Sequence, residues 1–90
     1  MIIKTITIQD PAGLHARPAS QIVELAHRFK SSVMLRKGHT LANARSILQL
    51  MLLAVGPHMA FDLIVDGDDE KAAIVELQEL LESPNSHHAA

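Results

Sequence analysis

A histidine at the start of a predicted helix is the residue best suited to do chemistry. The segment Gly13-Leu14-His15-Ala16-Arg17-Pro18-Ala19 follows an apolar, strand-like stretch and opens a run with helical periodicity. An imidazole is a nucleophile that can be mostly neutral near pH 7. The first amides of a helix lack intrahelical partners, and the positive end of its dipole attracts anions. The sequence therefore predicts a place where a phosphoryl group is taken onto a nitrogen of His15 and held.

The residues that follow this histidine fit the same chemistry. We expect three amides in the first turn to lack intrahelical partners: those of Ala16, Arg17 and Ala19. Pro18 offers no N–H and is tolerated in a first turn. The guanidinium of Arg17 suits phosphate oxygens, and no general base is recognisable nearby, which favours relay over hydrolysis. The residues alone also leave open a plain surface histidine beside a solvated arginine.

Hydrophobic periodicity predicts the elements that must position the histidine. Alternation over 2–8 indicates a strand, and 10–13 is a turn in which Gly13 permits close backbone approach. Further along the chain, helical and strand-like patterns follow in turn: a helix from 16, strands at 33–36 and 40–42, a helical run at 46–55, a strand at 61–65 and a helix at 73–81. The order βαββαβα predicts an α+β domain with helices on one face of a four-stranded, mainly antiparallel sheet. We expect one domain over 1–82 and a disordered tail over 83–90.

Composition argues against several classes of function. The net charge of −2, the lack of a basic stripe and the scarcity of aromatic residues argue against nucleic-acid binding. The absence of cysteine excludes disulfides and thiolate chemistry. The longest apolar run, 47–55, contains Gln49 and is far shorter than the roughly 20 residues of a membrane helix. We therefore expect a cytoplasmic protein with no membrane insertion, no cofactor and no metal site.

Other polar residues are interpreted as structural. The acidic cluster at 66–70 lacks a calcium-loop pattern, and a helix cap at Asp68 or Asp69 explains it better. Three further histidines lack the spacing of metal ligands and are interpreted as surface residues: His27, His39 and His58.

The second helical run carries more apolar residues than one docking face requires. Ile47, Leu50, Met51 and Ala54 form one stripe, and Leu48, Leu52 and Val55 form another. Two stripes mean either deep burial or an apolar patch left for a partner, and a 90-residue chain favours the patch. The pattern does not say which stripe faces outward. Ser46 is expected to be the N-cap of this helix.

The segment 13–19 resembles the active-site signature of HPr, the histidine-containing phosphocarrier of the bacterial phosphoenolpyruvate-dependent sugar phosphotransferase system. The resemblance runs from about Met1 to Leu81 and includes the order of elements. It implies an open-faced β-sandwich of four strands and three helices. It also implies that enzyme I phosphorylates His15 on Nδ1, that Arg17 assists, and that the group passes to IIA components. Such a protein is a carrier rather than an enzyme with turnover.

The same resemblance assigns roles to the second helix. It implies a partner-docking surface beside the histidine, made of Ile47, Leu48, Met51 and Leu52. The segment 43–47 resembles the regulatory serine segment of HPr from Gram-positive bacteria, which makes Ser46 a candidate for phosphorylation. HPr kinase/phosphorylase and a catabolite-control regulator would then be further partners. We expect the protein to be a monomer.

Departures from the family pattern keep alternatives open. Ala12 stands where HPr usually has Asn or Ser, whose side chain can help orient the histidine turn, and Leu52 replaces a small polar residue. One alternative is a regulatory HPr paralogue that acts through phosphorylated Ser46 with His15 idle. Relatives of that kind which do not relay lack the histidine, so His15 favours relay. A small phosphate-ester or acyl-phosphate hydrolase is a third hypothesis, but the sequence shows no residue to position water.

Overall fold

A computed structural model gives the structure of residues 1–82 of the 90-residue chain. The elements follow the predicted order: β1 (Ile2–Thr7), α1 (Ala16–Ala26), β2 (Ser32–Lys37), β3 (Thr40–Asn43), α2 (Ile47–Leu52), β4 (Ala60–Asp66) and α3 (Glu70–Glu82). The tail expected over 83–90 lies outside the described residues.

The four strands form one sheet in the order β1-β4-β2-β3, and every neighbouring pair is antiparallel. Alternate residues of β4 turn to the helices, so that Phe61, Leu63 and Val65 are buried while Asp62 and Ile64 lie on the open face. The predicted α+β open-faced sandwich is confirmed. The largest fully buried apolar side chains lie between sheet and helices: Ile6, Ile8, Ile22, Val33, Leu35, Leu50, Leu63, Val65 and Leu77.

The second helix is shorter than its apolar run. It ends at Leu52, and Ala54 has a φ of 58°, a left-handed conformation that no α-helix contains. The Lys37 ammonium donates to the Ala54 carbonyl at 2.6 Å and holds this bend. Leu53 and Val55 are therefore buried as loop residues and complete the core without belonging to α2.

Asp69 joins the start of the last helix to the loop between α1 and β2. Asp69 directly precedes α3, the position expected for its N-cap, and its carbonyl accepts from the Ala73 amide. Its carboxylate, however, accepts from the amides of Lys30 and Ser31 and from the Ser31 hydroxyl. These hydrogen bonds, with the hydroxyl of Ser31 as the largest cause, lower the pKa of Asp69 to about 2. The carboxylate thus joins the start of α3 to a loop that the sequence pattern does not connect with it.

The loop after α2 holds the turn that precedes α1. The Leu14 amide donates to the Val55 carbonyl at 2.8 Å, and the Ile8 amide donates to the Met59 carbonyl at 3.0 Å. Gly13 has a φ of +73°, and a Cβ there would lie 2.6 Å from the Val55 oxygen. Because no side chain fits between these backbones, only glycine allows the turn to sit where it does.

Replacing this glycine should destabilise the fold by more than its backbone conformation alone would cost. We expect Gly13→Ala to lower the free energy of unfolding by at least about 2 kcal/mol, since the left-handed conformation and the clash with Val55 add together. Gly38→Ala is a matched control, with a φ of +61° and nothing within 4 Å of the added Cβ. It should cost only about 1 kcal/mol. Urea denaturation measures the free energy of unfolding of both variants. Equal losses in the two would contradict the close approach of Gly13 to Val55.

Candidate functional site

His15 occupies the N-cap position of α1. Its backbone is extended, with φ −93° and ψ −169°, and its side chain makes no capping hydrogen bond. The side chain is 40% exposed, so a partner can reach the ring. Pro18 is buried in the first turn of α1, where its fixed φ suits the helix and its missing N–H costs nothing.

Two of the three amides predicted to lack intrahelical partners do lack them. The amides of Ala16 and Arg17 donate to no acceptor among residues 1–82. The prediction for Ala19 is wrong, because its amide donates to the His15 carbonyl at 3.0 Å. Ala19 lies four residues after the N-cap and so makes the first bond of the helix. The exposed end of α1 therefore offers two donors, together with the positive end of the dipole.

Arg17 is exposed at this helix end. Within the described part of the chain its guanidinium makes neither an ion pair nor a hydrogen bond. Its charge is near enough to Asp10 to stabilise that carboxylate. The side chain is therefore available to an anion bound beside His15.

Asp10 is the site residue that sequence reasoning missed. Its Oδ1 accepts from the Ala12 amide at 2.9 Å and lies 3.3 Å from Nε2 of His15. The hydrogen bond from Ala12 is the largest cause that lowers the pKa of Asp10, followed by the bond to His15. The available signal was the aspartate that opens the turn at 10–13, a residue type that commonly accepts from the amide two positions later. Its approach to the ring depends on how the turn folds back, which spacing does not reveal.

The exposed apolar residues of α2 are those that the resemblance implied for docking. Leu50 is fully buried, whereas Ile47 is 43%, Leu48 65%, Met51 44% and Leu52 71% exposed. We call these four exposed residues the α2 patch. Because α2 packs against α1, the patch belongs to the helix that neighbours the one beginning at His15. Scattered exposed apolar residues are ordinary, but four on one six-residue helix are typical of an interaction surface.

Ser46 is the N-cap of α2, as predicted. Its hydroxyl oxygen accepts from the Gln49 amide at 3.2 Å, and the residue is half-buried. The neighbouring Arg45 guanidinium donates to carbonyls at the end of α1, the closest being that of Phe29 at 2.6 Å. This arginine is therefore committed to holding α1 against the turn before α2.

Residues 1–82 contain neither a metal-binding cluster nor a membrane-spanning helix. No group of three or more His, Asp or Glu side chains in this range is arranged to hold a metal ion. None of the helices described is both long and apolar enough to cross a membrane.

Known proteins similar to this chain share its fold and length. The family model for the PTS HPr component phosphorylation site matches residues 2–83. Phosphocarrier protein HPr of Treponema pallidum is 40% identical over 83 residues, covering 92% of this chain and 94% of that protein. HPr-like protein Crh of Bacillus subtilis is 40% identical over 77 residues, covering 86% and 91%.

Solved structures agree with these sequence relatives. The crystal structure of HPr-C-His from Thermoanaerobacter tengcongensis has a TM-score of 0.89 at 40% identity, covering 93% of this chain and 94% of that one. An HPr dimer from the same organism is also similar, with a TM-score of 0.73 at 41% identity, covering 92% of this chain and 95% of that one. The family model and the relatives each span most of the chain. The chain therefore belongs to the HPr family, the phosphocarrier proteins of the phosphotransferase system.

Proposed function

We propose that this protein accepts a phosphoryl group on His15 from enzyme I and passes it to IIA components. The observation that carries the proposal is the exposed imidazole at the start of α1, next to the unoccupied amides of Ala16 and Arg17. Family membership supplies the nature of the reaction, and the enzyme I and IIA partners are those that the HPr resemblance implies. The monomeric state and the cytoplasmic location remain predictions.

The open end of α1 would hold the phosphoryl group while it is carried. Hydrogen bonds from N–H groups to a dianion are charge-assisted and stronger than bonds between neutral groups. The two amides of α1 would donate to the phosphoryl oxygens, and the guanidinium of Arg17 would add a second positive charge. No proton has to be moved for the group to be held.

Hydrolysis is not favoured by this arrangement. A hydrolase would need a group that positions water beside the phosphorus atom. Asp10 is the one carboxylate within hydrogen-bond range of the ring among residues 1–82, and it lies against Nε2 with its Oδ1 already accepting from Ala12. That places it across the ring from Nδ1, the nitrogen that the HPr resemblance implies for the phosphoryl group.

The α2 patch would dock the successive partners. A carrier must present one histidine to a donor and later to an acceptor, so both must cover the same region. An exposed apolar surface on the helix beside α1 is suited to shared docking, because apolar burial is not tied to one partner's hydrogen-bond pattern.

The relay is tested with phosphoenolpyruvate, enzyme I and labelled phosphate. We expect the wild-type chain to take up label and His15→Ala to take up none, because no other group receives the phosphoryl. His39→Ala is the control, since His39 lies exposed in the turn between β2 and β3. It should be labelled like the wild type. An unlabelled wild-type chain, or label retained by His15→Ala, would reject the proposal.

Docking is tested separately from the chemistry. Leu48→Asp should raise the KM for this chain in the enzyme I reaction by roughly tenfold, as expected for loss of one interface anchor. Val75→Asp is the matched control, because Val75 is 58% exposed but lies on α3. Equal effects of the two variants would show that the α2 patch has no special role.

A second function, regulation through Ser46, has its own support. The hydroxyl lies at the start of α2, directly before the α2 patch, and a Crh protein is among the relatives. A phosphate there adds a charge of about −1.5 to −2. The positive end of a helix tolerates such a charge, whereas an apolar interface beside it does not.

Incubation with an HPr kinase and ATP, followed by mass spectrometry, tests the regulatory function. We expect one phosphoryl group on the wild-type chain and none on Ser46→Ala. A wild-type chain that stays unmodified would leave Ser46 as a helix cap only.

A further inference from the structure

We propose that Asp10 is a positioning residue for phosphoryl transfer. Its carboxylate holds the ring hydrogen of His15 on Nε2 and so presents Nδ1 as the nucleophile. The inference rests on the proposed phosphocarrier function and adds to it a residue outside the 13–19 segment.

The carboxylate is held in place independently of the ring. The Gly13 amide donates to the Asp10 carbonyl at 2.9 Å, and the Ala12 amide donates to Oδ1 at 2.9 Å. The turn itself is anchored where Leu14 donates to Val55. The same Oδ1 lies 3.3 Å from Nε2 of His15, so one preorganised oxygen joins the turn to the imidazole.

The protonation of the pair follows from what each group can do. Hydrogen bonding to Ala12, and then to His15, lowers the pKa of Asp10, so this group is a carboxylate at neutral pH. A carboxylate can only accept, and therefore Nε2 must carry the hydrogen. A neutral imidazole has a single N–H, which leaves the lone pair on Nδ1.

Phosphoryl transfer then needs no proton to leave the ring. The Nδ1 lone pair forms the N–P bond, the bond from phosphorus to the donor breaks, and the donor keeps that electron pair. The ring becomes positively charged, Nε2 keeps its hydrogen, and the Asp10 carboxylate stabilises that charge. In the forward donation, a nucleophile of the acceptor forms the new bond to phosphorus, the N–P electrons return to Nδ1 and the ring becomes neutral again.

No other residue in the described chain can take this role. Ala12, the neighbour in the turn, has no polar side chain, and its amide serves instead to hold Asp10. Asp10 is the one side chain within hydrogen-bond range of the His15 ring among residues 1–82. Ala12 lacks the polar side chain that HPr usually has at this position, but the His15 ring still has a hydrogen-bond partner in Asp10.

The proposal is tested with phosphoramidate, which phosphorylates histidine without enzyme I and releases ammonia. In the wild type the Nδ1 isomer of phosphohistidine should predominate, as read by 31P and 15N NMR. In Asp10→Ala the ratio of the Nδ1 to the Nε2 isomer should fall about tenfold, the effect of losing one partly exposed charge-assisted hydrogen bond. The side-chain amide of Asp10→Asn can donate as well as accept and no longer forces the hydrogen onto Nε2, so its isomer ratio should lie between those of the wild type and Asp10→Ala.

Asp68→Ala is the control, because Asp68 is an exposed carboxylate in the turn before α3 and should leave the isomer ratio unchanged. A ratio in Asp10→Ala equal to that of the wild type would overturn the proposal. Should Asp10→Ala not fold, long-range 1H–15N spectra of the unphosphorylated wild type decide: hydrogen on Nε2 supports the proposal, and hydrogen on Nδ1 overturns it. Neither measurement uses enzyme I, so failure of the relay itself is distinguishable.

Discussion

The backbone of residues 13 and 14 lies directly on the backbone of the loop after α2, and the geometry around His15 depends on that contact. The Leu14 amide donates to Val55, and the missing side chain of Gly13 lets the two chains approach. His15 follows this contact as the N-cap, and α1 begins at Ala16. Its first two amides are then exposed beside the ring rather than bonded to the preceding chain.

The contact between Leu14 and Val55 also depends on α2 ending before Val55. Had the helix continued through its apolar run, the Val55 carbonyl would point along the helix axis instead of toward the Leu14 amide. The left-handed conformation of Ala54, held by Lys37, ends the helix and turns that carbonyl toward the histidine turn. The same bend buries Leu53 and Val55, so the core is completed and the α2 patch remains on the outside.

Much of this fold could be predicted from the sequence because period-2 and period-3.6 patterns are local. The strand at Ile2–Thr7, the helix after His15 and the cap at Ser46 follow from neighbouring residues alone. The end of α2 could not be predicted, because the apolar pattern continues past Leu52 and does not reveal the left-handed conformation of Ala54, whose carbonyl accepts from Lys37 of β2. Asp10 was missed for a similar reason, since its meeting with the ring requires the turn to fold back. The two apolar stripes could be seen, but neither faces solvent as a whole. Leu50 of one stripe and Val55 of the other are buried, and each stripe contributes two residues to the exposed α2 patch.

The central claim is that the open amides at the start of α1 bind the phosphoryl group. The amide spectrum of the phosphorylated chain tests this claim most directly. Comparison of 1H–15N spectra before and after phosphorylation of His15 should show the largest downfield shifts at the amides of Ala16 and Arg17. Ala19 should move less, because its amide already donates to the His15 carbonyl. Unmoved amides at Ala16 and Arg17, with the main changes elsewhere, would contradict the account.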